Sequence, residues 1–149
     1  MQRVASPPRT NWQSKVEAAG LTWQTPGQPH WNESAFYELA AKEVDVIEAA
    51  SNDLEQMSLA AVQHFIENRL YAELRIPKRA IPLIESSWNT EPTSLYGRFD
   101  LAYCGDAPPK LLEYNADTPT SLLEAAVIKR YWLEDTHPSS NQFTPLMTG

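Results

Sequence analysis

The sequence is poor in the residues that mark secreted and membrane proteins. Among its 149 residues Cys104 is the only cysteine, which excludes an intramolecular disulfide framework and fits a reducing compartment, so we expect a cytoplasmic location. No apolar run approaches the roughly 20 residues that a membrane-spanning helix needs. The first residues, MQRVASPPRTNW, lack the apolar centre of a signal peptide. We therefore expect no membrane partner.

Basic residues and familiar catalytic signatures are scarce as well. Twelve Lys and Arg stand against nineteen Asp and Glu, which gives a formal net charge of −7. Such a chain would be repelled by a phosphate backbone, so we expect no nucleic-acid partner. Phosphate-loop, dinucleotide-binding, zinc-protease and CxxC patterns are all absent.

Apolar residues, by contrast, are plentiful, at 42% of the chain, and predict one folded domain. Between Phe36 and Leu70 they recur mostly at steps of three or four. This spacing predicts one long helix over about residues 33–73, capped by Asn32 or Ser34.

Shorter elements are predicted on both sides of this helix. Residues 1–10 read as a loosely held arm, and a short helix is expected over 12–19. Another helix is expected over 78–88. A last helix over 120–134 would have Thr118 as its N-cap and Pro119 in its first turn.

A β-hairpin is predicted between the last two helices. Alternating residues indicate strands over about 95–104 and 109–115, joined by the four-residue turn GDAP. If Cys104 pairs with Pro109, the numbers of paired residues sum to 213 along both strands. A slip of one residue would move every side chain to the other face, so this register is a testable prediction.

In this register Asp100 lies opposite Glu113, and Arg98 lies opposite Asn115 on the same face. Opposed carboxylates repel each other unless a proton, a cationic side chain or a metal compensates. Two carboxylates and an amide oxygen suit Mg²⁺, and the arginine fork suits phosphate oxygens. On spacing alone, however, the simpler alternative is favoured, in which Arg98 forms an ordinary surface ion pair with Asp100 or Glu113.

The residues of this hairpin resemble a known family. LYGRFDLAY, followed by KLLEYNADTPTSLLEAA, resembles the glutathionylspermidine synthase family, which includes shorter bacterial acid–amine ligases. HWNESAFYEL and IPKRAIPLIESSW extend the resemblance over roughly residues 10–143. The resemblance implies an α+β fold, with a long N-terminal helical region, an antiparallel hairpin and a C-terminal helix. It would be part of a glutathione-synthetase-like ATP-grasp fold, with residues 1–149 as one N-terminal (preATP-grasp) unit.

The resemblance also implies an activity and its cofactors, ATP and Mg²⁺. Members of the family convert a carboxylate, such as that of a glutathione-like peptide, to an acyl phosphate, which a polyamine-like amine then attacks. The implied roles are Arg98 as the catalytic residue, Arg98, Phe99 and Asp100 for ATP, Asp100, Glu113 and Asn115 for Mg²⁺, and Asp117 and Thr118 for the acid substrate.

The chain departs from the family pattern in two ways. The connection between Asp100 and Glu113 is about one residue longer than the pattern predicts, and we expect the extra residue at the hairpin tip. The part of the family that clamps ATP is absent, so we expect an N-terminal fragment that is inactive alone and whose partner is the missing part. The alternative is a non-catalytic binding or regulatory module that keeps the fold.

Overall fold

The computed structural model describes residues 1–22 and 30–143 and combines helices with two small antiparallel sheets. This confirms the predicted α+β class. The strands are β1 Gln2–Ala5, β2 Ala35–Glu38, β3 Arg98–Ala102 and β4 Lys110–Asn115. The helices are α1 Trp12–Ala18, α2 Ala41–Glu67, α3 Ile81–Thr90 and α4 Lys129–Thr136, with 3₁₀ turns at Leu70–Ala72 and Lys78–Ala80 and a π-helical turn at Glu124–Ile128.

The prediction of a loose N-terminal arm was wrong. β1 pairs antiparallel with β2, from Gln2 opposite Glu38 to Ala5 opposite Ala35. The ring of Phe36 on β2 also lies 5.1 Å from the ring of Trp132. This long-range packing is consistent with an extended β2, although the apolar spacing around Phe36 favours a helix.

The long helix is therefore shorter than predicted at both ends. It begins at Ala41, where the Glu43 carboxylate accepts a hydrogen bond from the backbone N–H of Ala40 at 2.9 Å. Neither Asn32 nor Ser34 caps it, because β2 intervenes. The helix ends at Glu67, and Arg69 then turns the chain through a left-handed backbone conformation with φ 53°.

The best-buried apolar residues lie where α1 meets the C-terminal helical segment. Val16, Leu21 and Ile128 are each at most 1% exposed and form one cluster. Around them pack Trp12, Ala19, Trp31 and Leu123. The apolar stripe of α2 is much less covered, since Met57 on this stripe is 66% exposed. In the described part of the chain, Ser51 is the one buried residue of helix α2.

A buried ion pair ties the N-terminal segment to this core. The Arg9 guanidinium donates to Glu33 through Nη2 at 2.6 Å, and the backbone N–H of Arg9 donates to the same carboxylate at 3.1 Å. The indole N–H of Trp31 adds a third donor at 3.1 Å. Nη1 of Arg9 reaches across to Asp135 on α4 at 2.8 Å. Three segments of the chain thus meet at one cluster.

The hairpin has the predicted register in the half nearer the candidate site. Arg98 lies opposite Asn115, and Asp100 lies opposite Glu113. Beyond Asp100 the register shifts by one residue at a β-bulge, so that Leu101 lies opposite Leu111. The expected pairing of Cys104 with Pro109 was wrong. The bulge leaves Leu112 of β4 without an opposite residue, and Leu112 is 70% exposed.

The last helical segment starts later than predicted. Its first helical residue follows Ser121, which has a left-handed φ of 73°. Thr118 is therefore not its N-cap, and Pro119 precedes it. The hydroxyl of Tyr96 donates to the carbonyl of Pro119 at 2.6 Å and holds residues 116–121 as a loop against the hairpin.

Candidate functional site

The candidate site is the polar face of the β3–β4 hairpin, centred on Arg98. The Arg98 guanidinium forms a bidentate pair with Asp100, through Nε to Oδ1 at 2.8 Å and Nη2 to Oδ2 at 3.1 Å. Side chains two residues apart on a strand share a face, so the pair needs no distant element. Both side chains are about one-third exposed, at 32% and 38%.

The loop after β4 supplies a second anchor for the same guanidinium. Nη1 of Arg98 donates to the hydroxyl of Thr120 at 2.6 Å and approaches its carbonyl oxygen at 3.4 Å. The Tyr96 hydrogen bond to Pro119 fixes the loop one residue earlier. Sequence reasoning missed Thr120 and Tyr96, although the TPTS run after the second strand placed hydroxyls close to the hairpin in sequence.

Glu113 and Asn115 complete the face from β4. Glu113 is exposed and lies directly across from Asp100, and Asn115 is half-buried opposite Arg98. The Asn115 amide nitrogen is buried and has no hydrogen-bond acceptor among residues 1–22 and 30–143. The hydrogen bond to Asp100 raises the pKa of Arg98; burial opposes this, and the negative charges of Asp100 and Glu113 add to it.

Phe99 lies apart from these residues. Its ring stacks on that of Tyr114, with centroids 4.2 Å apart, and alternation along the strand places both rings on the opposite face of the hairpin. Burial, together with a 2.8 Å hydrogen bond from its hydroxyl to Glu55, raises the pKa of Tyr114 to about 12. This face therefore fixes the hairpin to α2. A role of Phe99 toward a nucleotide would fall to its backbone.

Asp117 and Thr118 are exposed in the loop between β4 and the last helical segment. They follow Asn115 directly in the chain and lie just before Thr120, the residue that binds Arg98. The structure thus places the two predicted substrate residues on an open edge of the site, next to its polar face.

The donor set suits a hard divalent cation. Asp100 and Glu113 offer carboxylate oxygens from opposed positions, and Asn115 offers an amide oxygen two residues further along β4. Among the described residues no group of three or more His, Cys, Asp or Glu gathers as a candidate metal centre. The hairpin trio consists of two carboxylates and one amide. These oxygen donors fit the chemistry of Mg²⁺.

Comparison with known proteins gives these residues a context. The family model described as glutathionylspermidine synthase preATP-grasp matches residues 3–148. A protein of Haemophilus influenzae, named as an acid–amine ligase, is 43% identical over 108 residues, which cover 72% of this chain and 27% of that protein. The trypanothione synthetase of Crithidia fasciculata is 39% identical over 61 residues, which cover 40% of this chain and 9% of that protein. The chain thus matches about a quarter or less of either relative's length. None of the helices in residues 1–22 and 30–143 combines the length and apolarity needed to cross a membrane.

Proposed function

Since the chain belongs to the glutathionylspermidine synthase preATP-grasp family, we propose that it forms one wall of the active site of an ATP- and Mg²⁺-dependent acid–amine ligase. The observation that carries the proposal is the hairpin face. Asp100 and Glu113 are opposed there beside the cationic fork of Arg98. Structural stability does not require two carboxylates at such a position, because like charges directly across a sheet are destabilising.

The roles of the side chains follow from their chemistry. Asp100, Glu113 and Asn115 would hold Mg²⁺, which supplies positive charge to phosphate oxygens during phosphoryl transfer. Arg98 would stabilise the negative charge that develops on the transferring phosphoryl group, because its planar fork matches two phosphate oxygens. Phe99 would contribute through its backbone, since its ring packs away from this face.

The substrate classes come from the family and from the relatives' names. We propose that the acid is a small peptide resembling glutathione and that the amine resembles a polyamine. The acid would be activated as an acyl phosphate before the amine forms the amide bond. Asp117 and Thr118 would contact the acid, because they lie on the exposed loop that follows Asn115 and precedes Thr120, the residue bonded to Arg98.

We further propose that residues 1–149 fold as one unit that does not catalyse the reaction alone. The proposed site is built from one hairpin and one loop, and its ligands are exposed or half-buried. Phosphoryl transfer needs the phosphates to be clamped and water excluded, which a single open face does not achieve.

The metal site can be tested on this chain directly. We expect Mn²⁺, used as a probe for Mg²⁺, to bind to wild type and to bind at least tenfold more weakly to Asp100→Asn and Glu113→Gln. Asp106→Asn is the matched control, because it removes the same charge from the exposed hairpin turn. Equal Mn²⁺ affinity in all variants would contradict the proposed site and favour a non-catalytic binding module.

The ligase role needs a separate measurement. The purified 149-residue chain, given ATP, Mg²⁺, glutathione and spermidine, should release no ADP above background. In the intact Haemophilus influenzae relative, the substitution that corresponds to Asp100→Asn should abolish any ADP release. Substantial turnover by residues 1–149 alone would refute the proposal that they form only one wall of the site.

A further inference from the structure

We propose that Arg98 is an internal counterion that keeps the metal site weak until a polyphosphate binds, and that Thr120 is the positioning residue that holds its guanidinium ready. The inference rests on the proposed function and goes beyond it. It concerns the coupling between two ligands and assigns a role to a threonine outside the predicted site.

All three nitrogens of the Arg98 guanidinium are engaged, but with partners of two kinds. Nε and Nη2 take both oxygens of Asp100, at 2.8 and 3.1 Å. Nη1 takes the neutral hydroxyl of Thr120 at 2.6 Å. The charged partner is the proposed metal ligand, whereas the neutral partner is not.

A divalent cation at Asp100 would lie close to this guanidinium. The two positive charges would repel each other, and the repulsion is screened only partly because both side chains are about two-thirds covered. Arg98 also offsets the negative charge of Asp100 and Glu113. Without Arg98 these two carboxylates would attract a cation more strongly. The arginine therefore competes with the metal for the same negative charge.

A polyphosphate removes this competition. Its oxygens accept the Nε and Nη2 donors that Asp100 releases, and its negative charge lies between the metal and the guanidinium. The hydrogen bond to Thr120 can persist throughout this exchange, because the hydroxyl is neutral. Thr120 in turn sits on a loop fixed by Tyr96, one residue away at Pro119. The guanidinium thus moves from carboxylate to phosphate around a fixed point.

Coupling of this kind is reciprocal. If polyphosphate strengthens metal binding by some factor, the metal must strengthen polyphosphate binding by the same factor. Couplings between sites are typically about 5- to 150-fold, so we expect roughly tenfold here. Removal of Arg98 should abolish the coupling while it strengthens binding of the metal alone.

The test measures protein-bound Mn²⁺ by water-proton relaxation enhancement, with and without inorganic tripolyphosphate. Arg98→Gln should bind Mn²⁺ alone roughly tenfold more tightly than wild type. It should also lose the increase in Mn²⁺ affinity that tripolyphosphate causes in wild type, which is called the tripolyphosphate gain below. Arg130→Gln is the matched control, since Arg130 pairs with Glu134 on the exposed face of α4, and it should behave as wild type.

Thr120 is tested by a pair of conservative variants. Thr120→Val should leave the affinity for Mn²⁺ alone close to that of wild type but reduce the tripolyphosphate gain several-fold. Thr120→Ser should restore the gain, because the hydroxyl is what binds Nη1. A loss of stability alone would affect both measurements, so this split separates positioning from folding.

The outcomes distinguish this inference from the proposed function. Unchanged or weaker Mn²⁺ binding in Arg98→Gln, together with loss of binding in Asp100→Asn, would overturn the counterion role and leave the metal site intact. Equal tripolyphosphate gains in Thr120→Val and Thr120→Ser would overturn the role of Thr120. Absence of Mn²⁺ binding in every variant, with and without tripolyphosphate, would overturn the metal site and the counterion role together.

Discussion

Arg9 and Arg98 each place a forked guanidinium on a carboxylate, but the surroundings of the two pairs differ. The side chains of Arg9 and Glu33 are 7% and 0% exposed, whereas those of Arg98 and Asp100 are 32% and 38% exposed. The first pair lies in a cluster that joins three segments of the chain. The second lies on one face of a hairpin, with one loop beside it.

The two pairs differ in how many hydrogen-bond donors and acceptors around them lack a partner. The Glu33 carboxylate accepts from the Arg9 side chain, the Arg9 backbone and the Trp31 indole, so its acceptor capacity is used by fixed donors. Beside Arg98, Glu113 is exposed opposite Asp100 and the amide nitrogen of Asn115 lacks an acceptor within the described residues. A saturated pair stabilises the fold, and an unsaturated one retains the capacity to bind a ligand.

The largest effect that we predict is the loss of the buried pair. Arg9→Met should lower the free energy of unfolding by about 3 kcal/mol, because it leaves the Glu33 carboxylate buried without its cation. Urea unfolding followed by tryptophan fluorescence measures this. Arg130→Met is the control, since its exposed partner Glu134 lies on the same helix, and it should leave the urea midpoint close to wild type. A similar small shift in both variants would mean that the Arg9 pair is no more structural than a surface pair.

Acid should reduce the difference in the free energy of unfolding between wild type and Arg9→Met. Burial raises the pKa of Glu33, but hydrogen bonds from the Arg9 side chain, the Arg9 backbone and Trp31 outweigh it and hold the pKa below the ordinary value of 4.5. The unfolded chain then binds more protons, so this stability is present above pH 4.5 and is lost as the pH falls through the lower folded value. Urea midpoints of both proteins, measured from about pH 7 down to about pH 3, should converge. A constant gap would mean that Glu33 is not the group responsible.

The contrast between the two pairs also explains what could be predicted from the sequence. Arg98, Asp100, Glu113 and Asn115 lie on adjacent strands of one hairpin, where alternation and turn length are local properties. Their shared face followed from spacing before any tertiary contact was known. The bulge at Leu112 was not predictable to the residue, because an extra residue can be absorbed at a tip or within a strand.

The Arg9 cluster had no local signal. Arg9 and Glu33 are 24 residues apart, and Asp135 is 126 residues from Arg9, so only tertiary packing brings them together. The same reason explains why β1 and β2 were missed. They pair between distant parts of the chain, from Gln2 with Glu38 to Ala5 with Ala35, and Phe36 on β2 also packs on Trp132. Local periodicity encodes neither contact.

A smaller effect is expected at the back of the hairpin, where Gly97 allows the Tyr114 ring to pack. A Cβ atom at Gly97 would lie 2.7 Å from Cε2 of Tyr114. Gly97→Ala should therefore displace the ring from Phe99 and Glu55 and destabilise the protein by about 1–3 kcal/mol. The ionisation of Tyr114, at a pKa of about 12 in wild type, should move toward the ordinary value of 10 in an ultraviolet titration. Ala102→Gly, at the far end of β3, is the control for an alanine–glycine exchange away from the Tyr114 ring. An unmoved tyrosine titration in Gly97→Ala would show that the ring tolerates the methyl group.

The smallest predicted effect on stability is at the Arg98–Asp100 pair. Arg98→Met should leave the urea midpoint of the metal-free protein close to that of wild type. Arg98 and Asp100 are partly solvated, and ion pairs that are exposed to solvent contribute little to stability. Any loss should come from Asp100 and Glu113, which then oppose each other without a cation, so adding Glu113→Gln should reverse it. A midpoint shift as large as that of Arg9→Met, with no recovery in the double variant, would make Arg98 a structural residue like Arg9. The small shift that we expect instead leaves this arginine free to exchange its carboxylate for a ligand.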